Sequence, residues 1–243
     1  MYFLVYIIAA TMAFVKAAPA ADSSDQSNDI AALDFVPRAD SNDLSLVVKA
    51  SLGGDHQHTG RFAGKELGDL IYKALDYLCY RGKVGKSCRQ EEYVIPKVSR
   101  VNYLNGEFVD TGSLKIKVTG SYLPPGHDGL RELFLDHFRD IFREVSPAHC
   151  YSAEGANGKK AIMCNSPEKF HINIVGRQDT PHIWMELHSD VPVVKGPEVI
   201  CKGSYSKMEA VFWHLAGRYS RIMGKNGKNA KVRPAQGCFD GAQ

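Results

Sequence analysis

Residues 113–145 read SLKIKVTGSYLPPGHDGLRELFLDHFRDIFREV and contain both kinds of element from which the domain is built. The first ten alternate with the two-residue period of a half-buried strand, Leu114, Ile116 and Val118 against Lys115, Lys117 and Thr119. Pro124-Pro125-Gly126 ends the strand, and Asp128 is the expected N-cap of a helix. The helix carries an apolar stripe at helical spacing: Leu130, Leu133, Phe134, Phe138, Ile141, Phe142 and Val145. The stretch predicts a helix that covers one face of a sheet.

The same two periods recur on either side of this stretch. An earlier helix has the apolar face Leu67, Leu70, Ile71, Ala74, Leu75 and Leu78, and a third helix is predicted over 207–223. Further strands are predicted over 44–50, 93–103, 170–175 and 182–188. We expect Gly53-Gly54 and the polar residues 56–58 to end the first of them. The order β-α-β-β-α-β-β-α predicts an α+β fold, a mainly antiparallel sheet with helices packed on one face, in a ferredoxin-like or killer-toxin-like arrangement.

The N-terminal residues predict secretion. Residues 1–15 form an apolar run that Lys16 ends, and small residues place a cleavage site after Ala17 or Ala18, so that residues 1–18 are typical of a signal peptide, although no basic residue precedes the run. A membrane anchor is the weaker interpretation, because a spanning helix needs about 20 apolar residues. Residues 19–43 have the composition of a disordered leader, and Pro37-Arg38 is either a processing site or part of a plain leader. Residues 44–243 then form a single domain.

The leader hides the charge of this domain. Residues 1–43 hold two of the 30 basic side chains and six of the 27 acidic ones, which leaves 28 basic and 21 acidic, a net charge of +7. Such a charge favours anionic partners such as nucleic acid, lipid headgroups or acidic polysaccharide. We expect a monomer without stable membrane insertion and without a cofactor.

Six cysteines lie in residues 44–243, and an even number in a secreted chain predicts three disulfides among 15 possible connectivities. Short loops favour sequential pairing, so we expect Cys79–Cys88, Cys150–Cys164 and Cys201–Cys238. The spacing matches no zinc finger, and no metal site is expected.

The one candidate for chemistry lies on the outer side of the predicted sheet. Strand alternation places His182, Trp184, Glu186 and His188 together, and His171 and Asn173 on the same side of the preceding strand. A hairpin with Val175 near His182 sets His171 opposite Glu186, one diagonal step from His188. Imidazole and carboxylate can share proton transfer near neutral pH, so His171, Glu186 and His188 are candidate catalytic residues for metal-independent RNA cleavage. The alternative is a polar, solvated sheet face.

Basic side chains supply candidate anion-binding positions. Lys115 and Lys117 project from the outer side of their strand, and the C-terminal residues form a predicted basic tail without acidic residues between Glu209 and Asp240. The tail positions are Arg218, Arg221, Lys225, Lys228, Lys231 and Arg233. The alternative is a solvated basic segment. His137, inside the stripe of the second helix, is expected to be a partly buried, hydrogen-bonded structural histidine, and Trp213 an edge-of-core or interface residue.

In organisation, the chain resembles secreted effectors of plant-associated fungi. The shared features are a signal sequence near Ala17-Ala18-Pro19, a Ser- and Asp-rich leader that ends near Pro37-Arg38, and a cysteine-paired α+β domain. Such effectors include killer-toxin-like sandwiches and ribonuclease-like folds. The chain departs from the guanyl-specific fungal ribonucleases, because their Tyr-x-His strand motif and the Glu, Arg and His series that follows it are not found.

Three functions remain open on the sequence. The leading hypothesis is a secreted, effector-like virulence or interaction protein that binds a target and is not an enzyme. The resemblance implies a host target, such as a host protein, reached outside cells or after entry into host cells, and the positive charge adds an anionic ligand, RNA among them, as a candidate partner. The alternatives are a secreted ribonuclease or ribonuclease-like RNA-binding protein, and a toxin that acts on a competitor's membrane or channel. The chain contains no GxSxG, HExxH or P-loop motif, which argues against the enzyme classes that carry them.

Overall fold

The computed structural model describes residues 44–79, 87–102, 104–124, 129–175, 180–193, 211, 213, 215–222 and 230–239. All of them belong to one compact unit, Pro37–Gln243. The predicted signal peptide and leader, and the candidate processing site at Arg38, lie outside the described residues. No helix among the described residues is long and apolar enough to cross a membrane.

Three helices form one layer of the domain. Helix α1 spans Gly64–Leu78 and α2 spans Leu130–Val145, and residues 215–222, with 211 and 213, are the described part of a third helix, α3. Every residue of the predicted α2 stripe is buried. Gly129 occupies the N-cap position of α2, with a φ of 86° that glycine adopts readily. Asp128, the expected N-cap, lies outside the described residues.

Seven strands form the other layer: β1 Leu44–Gly60, β2 Glu92–Val101, β3 Phe108–Tyr122, β4 Cys150–Glu154, β5 Lys160–Val175, β6 His182–Ser189 and β7 Ala230–Phe239. Their order in the sheet is β2-β3-β6-β5-β1-β7, and β4 pairs with β5. All described pairings are antiparallel except that of β7 with β1. The predicted α+β fold is confirmed, and β4 and β7 add to it.

The apolar positions of the strands and the helices share a single core. Val48, Leu114, Ile172 and Met185, from four different strands, are each about 1% exposed or less. They belong to one cluster with the buried stripes of α1 and α2. The other side of β3, β5 and β6 is therefore the face that the described helices leave uncovered.

Strand β1 continues beyond the predicted break, so the expectation that it ends at Gly53-Gly54 was wrong. Its pairing with β5 slips between Gly53 and His56, and Gly54 adopts a φ of 81°. These are the features of a β-bulge, which bends a strand without ending it. Beyond the bulge, His58 Nε2 donates to the carbonyl of Ser99 in β2 at 2.9 Å.

Two of the three predicted disulfides are present. Cys79 joins Cys88 and Cys150 joins Cys164. The second pair lies at the open end of the β4–β5 hairpin, where Cys150 and Cys164 are direct partners in the register. Cys201 lies outside the described residues, so the pairing of Cys201 with Cys238 remains a prediction.

Strand β7 was not predicted. Residues 230–239 run parallel to β1, from Leu44 opposite Ala230 to Gly53 opposite Phe239. Part of the predicted basic tail is therefore an edge strand, in which Pro234 and Gly237 are tolerated because only one side of the strand is paired.

Candidate functional site: the outer face of the sheet

Strand alternation places a set of polar and aromatic side chains on the uncovered face of β1, β3, β5 and β6. This outer face comprises Lys49, Lys115, Lys117, Tyr122, Lys169, His171, Asn173, His182, Trp184, Glu186 and His188. Tyr122 is 37% exposed, and the other members are of intermediate exposure. The predicted grouping of His171, Glu186 and His188 on one face is what the structure has.

The predicted register between β5 and β6 was wrong by two residues. Asn173 lies opposite His182, His171 opposite Trp184, and Lys169 opposite Glu186. A two-residue slip leaves every side chain on the same face of the sheet, so the apolar pattern cannot distinguish the two registers. The actual register separates His171 from direct pairing with Glu186.

Glu186 and His188 do meet, and a second carboxylate joins them. His188 Nε2 lies 3.4 Å from Glu186 Oε2, and its Nδ1 lies 3.5 Å from Glu168 Oε1. Both distances are long for hydrogen bonds. Glu168 also accepts from the backbone N–H of Asp55 at 3.2 Å, a contact that the β1 bulge makes possible. Glu168 was not predicted as a site residue, because it lies outside the strand expected over 170–175, and strict alternation continued to residue 168 would assign it to the inner side.

His171 belongs instead to an aromatic row that runs across the outer face. We call Tyr122, His182, Trp184 and His171 the aromatic row. The His171 and Trp184 rings are stacked, with centroids 5.0 Å apart and an interplanar angle of 19°. His182 lies 4.7 Å from Trp184, and Tyr122 lies 6.4 Å from His182. The row is a continuous ladder of rings over three strands.

Two neighbours fix the position of Trp184 within the row. Its Nε1 donates to Asn173 Oδ1 at 2.7 Å, so the partly buried N–H of the indole has its partner. Gly120 lies beneath the ring, and a Cβ built on Gly120 would lie 2.6 Å from Trp184 Cε3. Glycine is therefore required at this position for the indole to lie against β3. A lone glycine in a strand next to a tryptophan-bearing strand was the available sequence signal.

The environment of His171 makes it a poor proton donor at neutral pH. Burial, and then the charges of Lys169 and His182, lower the pKa of His171 to about 4. The imidazole is thus neutral near pH 7. Since a general acid must carry its proton at the working pH, His171 cannot serve as the acid, and its low pKa makes the neutral ring a weak general base.

Charged side chains form a second row beside the aromatic one. Glu92, Lys117, Glu186 and Lys169 lie opposite one another across β2, β3, β6 and β5, with alternating sign. Lys115 forms an ion pair with Glu92 at 3.3 Å. Within the described part of the chain, Lys49, Lys117 and Lys169 form no ion pair. Lys49 and Lys169 lie on the same face of the sheet as His171. Neither was among the predicted anion-binding residues.

Of the other predicted anion-binding residues, Arg218 and Arg221 lie in the helical layer and not beside Lys115 and Lys117. Arg218 lies on α3 and pairs with Asp136 of α2 at 2.8 Å, so it holds two helices together in the helical layer. Arg221 is exposed on the same helix. Lys225 and Lys228 lie outside the described residues, as do the side chains of Lys231 and Arg233 on β7.

His137 and Trp213 are also in the helical layer. His137 is fully buried, and its Nδ1 lies 2.8 Å from the Tyr219 hydroxyl. Burial lowers the pKa of His137 to about 3, so the ring is neutral near pH 7. The predicted hydrogen bond is present, and the burial is complete where partial burial was expected. Trp213 is 58% exposed. Among the described residues, no three His, Cys, Asp or Glu side chains converge to hold a metal ion.

Comparison with known proteins assigns the chain to no family. No family model, no curated protein and no solved structure matches the chain. The functional argument therefore depends on the outer face alone.

Proposed function

We propose that this protein is a secreted interaction protein that binds its target through the outer face and carries out no reaction there. The observation that carries the proposal is the aromatic row, in which His171 serves as a neutral ring stacked on Trp184. The three candidate catalytic residues His171, Glu186 and His188 therefore do not form one cluster. One imidazole belongs to a packed ladder of rings, and the other lies between two carboxylates.

The physical character of the face suits recognition. Rings held in place by packing lose little side-chain entropy when a partner binds, and aromatic residues are frequent at interface centres. Lys117 and Lys169 add positive charge beside the rings, in a chain that carries +7 beyond residue 43. The two described disulfides are compatible with a secreted protein. An effector-like role toward a host or competitor target, outside cells or after entry into them, is part of the proposal.

Affinity capture with residues 44–243 tests the role of the face. The test variant is Lys117→Glu with Lys169→Glu on the outer face. The matched control is Lys65→Glu with Lys73→Glu, the same charge change at two exposed positions of α1. We expect the outer-face variant to lose the captured target and the α1 variant to retain it. Equal capture by both variants would show that the face is not the binding surface.

A metal-independent ribonuclease is the second candidate, and one observation favours it. His188 lies between Glu168 and Glu186, and Lys115 is its direct partner on β3. A carboxylate–imidazole pair beside a lysine can transfer a proton and stabilise a phosphate. An RNA-cleavage assay from about pH 4 to 9 with His171→Ala and His188→Ala separates the two functions. Cleavage that disappears in the His188→Ala variant would overturn binding without catalysis, whether or not His171→Ala also abolishes it, and the absence of cleavage in the unsubstituted protein would remove the ribonuclease.

A further inference from the structure

The exposed end of the aromatic row presents a platform for a planar ligand. Tyr122 is the most exposed ring of the row and lies opposite His182 in the register of β3 and β6. The two planes are inclined by 37°. His182 Nδ1 lies 2.9 Å from the carbonyl of Thr180, and since a carbonyl only accepts, Nδ1 donates and holds the imidazole in place. Aromatic side chains held in this way on an open sheet stack well with unpaired bases.

Positive charge lies within reach of this platform. Lys117 is five residues from Tyr122 along β3, about 16 Å at the rise of a strand. Lys169 lies on the other side of β6 from Lys117, about 10 Å away at two strand spacings. Lys49 lies opposite Asn173, beside the platform. No described carboxylate pairs within 4 Å with Lys49, Lys117 or Lys169. Their positive charge is therefore available to phosphate groups.

A carboxylate between the two lysines favours a partner that offers hydrogen-bond donors as well as phosphates. Glu186 lies between Lys117 and Lys169 on the outer face and remains partly exposed. A carboxylate repels phosphate but accepts hydrogen bonds from hydroxyl and amino groups. The 2′-hydroxyl of RNA is such a donor, and DNA lacks it. A base-paired duplex hides its bases from a ring platform, and an acidic polysaccharide offers no planar ring.

We propose that the outer face binds single-stranded RNA, with a base stacked at Tyr122 and His182, phosphates at Lys117 and Lys169, and Glu186 accepting from a 2′-hydroxyl. This inference rests on the proposed function, because it names the ligand class of the same face. The RNA is held and released uncleaved.

The protein contains two tryptophans, which permits a direct optical test. Trp213→Phe leaves Trp184 as the single tryptophan, so its emission reports on the outer face. The probe is a single-stranded RNA of about 12 nucleotides. The comparison arms are DNA of the same sequence, the RNA duplex, and heparin as an acidic polysaccharide. We expect saturable binding of the RNA with a change in Trp184 emission, and weaker binding in every other arm.

Three variants in this background assign the contacts. Lys117→Gln with Lys169→Gln should reduce the slope of log affinity against log salt by about 1.4, since each phosphate contact to a single strand contributes about 0.7. Lys65→Gln with Lys73→Gln on α1 is the matched control and should leave the slope unchanged. Tyr122→Ala should weaken binding about tenfold, within the range for one stacked base.

Three outcomes overturn the inference. One is the absence of RNA binding up to about 100 μM, the weak limit of non-specific binding. Another is equal binding of RNA and DNA, and a third is an equal effect of the outer-face and α1 variants. If RNA does not bind while target capture still depends on Lys117 and Lys169, the proposed function stands and only its ligand is wrong. If neither depends on them, both proposals fail.

Discussion

Individual residues of the outer face are constrained by close contacts. Trp184 lies against Gly120, stacks with His171 and donates to Asn173. Each contact restricts the indole to one orientation. Single substitutions at these positions should therefore change the face without changing the fold.

Gly120→Ala tests the contact beneath the indole. The added Cβ would lie 2.6 Å from Trp184 Cε3, so the ring must move. We expect a shift in Trp184 emission in the Trp213→Phe background and a loss of about 1–3 kcal/mol in the free energy of unfolding, as in other overpacked sites. Urea denaturation followed by circular dichroism measures the second quantity. An unchanged emission spectrum would show that the indole is not held against β3.

His171 makes the stability of the protein depend on pH. Its pKa is about 4 in the folded state and 6.5 without burial, so between these values the unfolded chain binds a proton that the folded chain does not. The contribution of His171 to the free energy of unfolding is therefore full above pH 6.5 and is lost as the pH falls from 6.5 toward 4.

His171→Gln should remove this contribution. We expect the loss of unfolding free energy between pH 7 and pH 5 to be about 1–2 kcal/mol smaller in the variant than in the unsubstituted protein. His137 contributes in the same direction in both proteins, because burial lowers its pKa to about 3. Denaturant titrations at the two pH values measure the difference. Parallel pH dependence would contradict a neutral, buried His171.

At the scale of elements, α1 and α2 pack closely together at Gly68. Gly68 of α1 lies against the backbone of α2, where a Cβ would come within 2.6 Å of the Arg139 carbonyl oxygen. Arg131 of α2 donates to the carbonyl oxygens of Asp76 and Cys79 at the end of α1. Those carbonyls have no partner within the helix, so the arginine supplies their hydrogen bonds. Its positive charge also interacts favourably with the negative end of the helix dipole.

A pair of glycine substitutions separates this packing from helix propensity. Gly217 in α3 has no other atom within 4 Å of its would-be Cβ, so Gly217→Ala should stabilise the protein by up to about 1 kcal/mol. Gly68→Ala has the same propensity gain but should destabilise the protein by about 1–3 kcal/mol, because the helices must separate. Thermal unfolding of both variants gives the comparison. Stabilisation by Gly68→Ala would contradict the close approach.

Most elements could be predicted from the sequence because burial imposes a period on them. The α2 stripe and the alternation of β3 each have one apolar side, and the structure buries it. The hairpin register of β5 and β6 was not predictable in this way. A shift of two residues preserves both faces, so only the geometry of the connection selects the register.

At the scale of the whole molecule, long-range pairing decides what local pattern cannot. β7 is parallel to β1 and about 170 or more residues away along the chain, and Pro234 and Gly237 obscure any strand pattern. The bulge in β1 likewise depends on the pairing with β5, where it lies opposite Glu168, the residue whose carboxylate is 3.5 Å from His188. The candidate site was therefore predicted as a face, but its contacts were not.

The charge of the molecule is distributed over both layers. Arg218 holds α3 to α2, whereas Lys117 and Lys169 lie on the opposite side of the domain, on the outer face. A partner attracted by the net charge of +7 beyond residue 43 thus meets a face where lysines adjoin an aromatic row. Binding should weaken as salt is added, since exposed charges are screened over about 8–10 Å at physiological ionic strength.

The most direct test of binding without reaction is a titration of the Trp213→Phe protein with single-stranded RNA, after which the RNA is recovered and sized. We expect a saturable change in Trp184 emission and RNA of unchanged length, from about pH 4 to 9. Shortened RNA, with cleavage abolished by His188→Ala, would contradict the account and identify the outer face as the site of an enzyme.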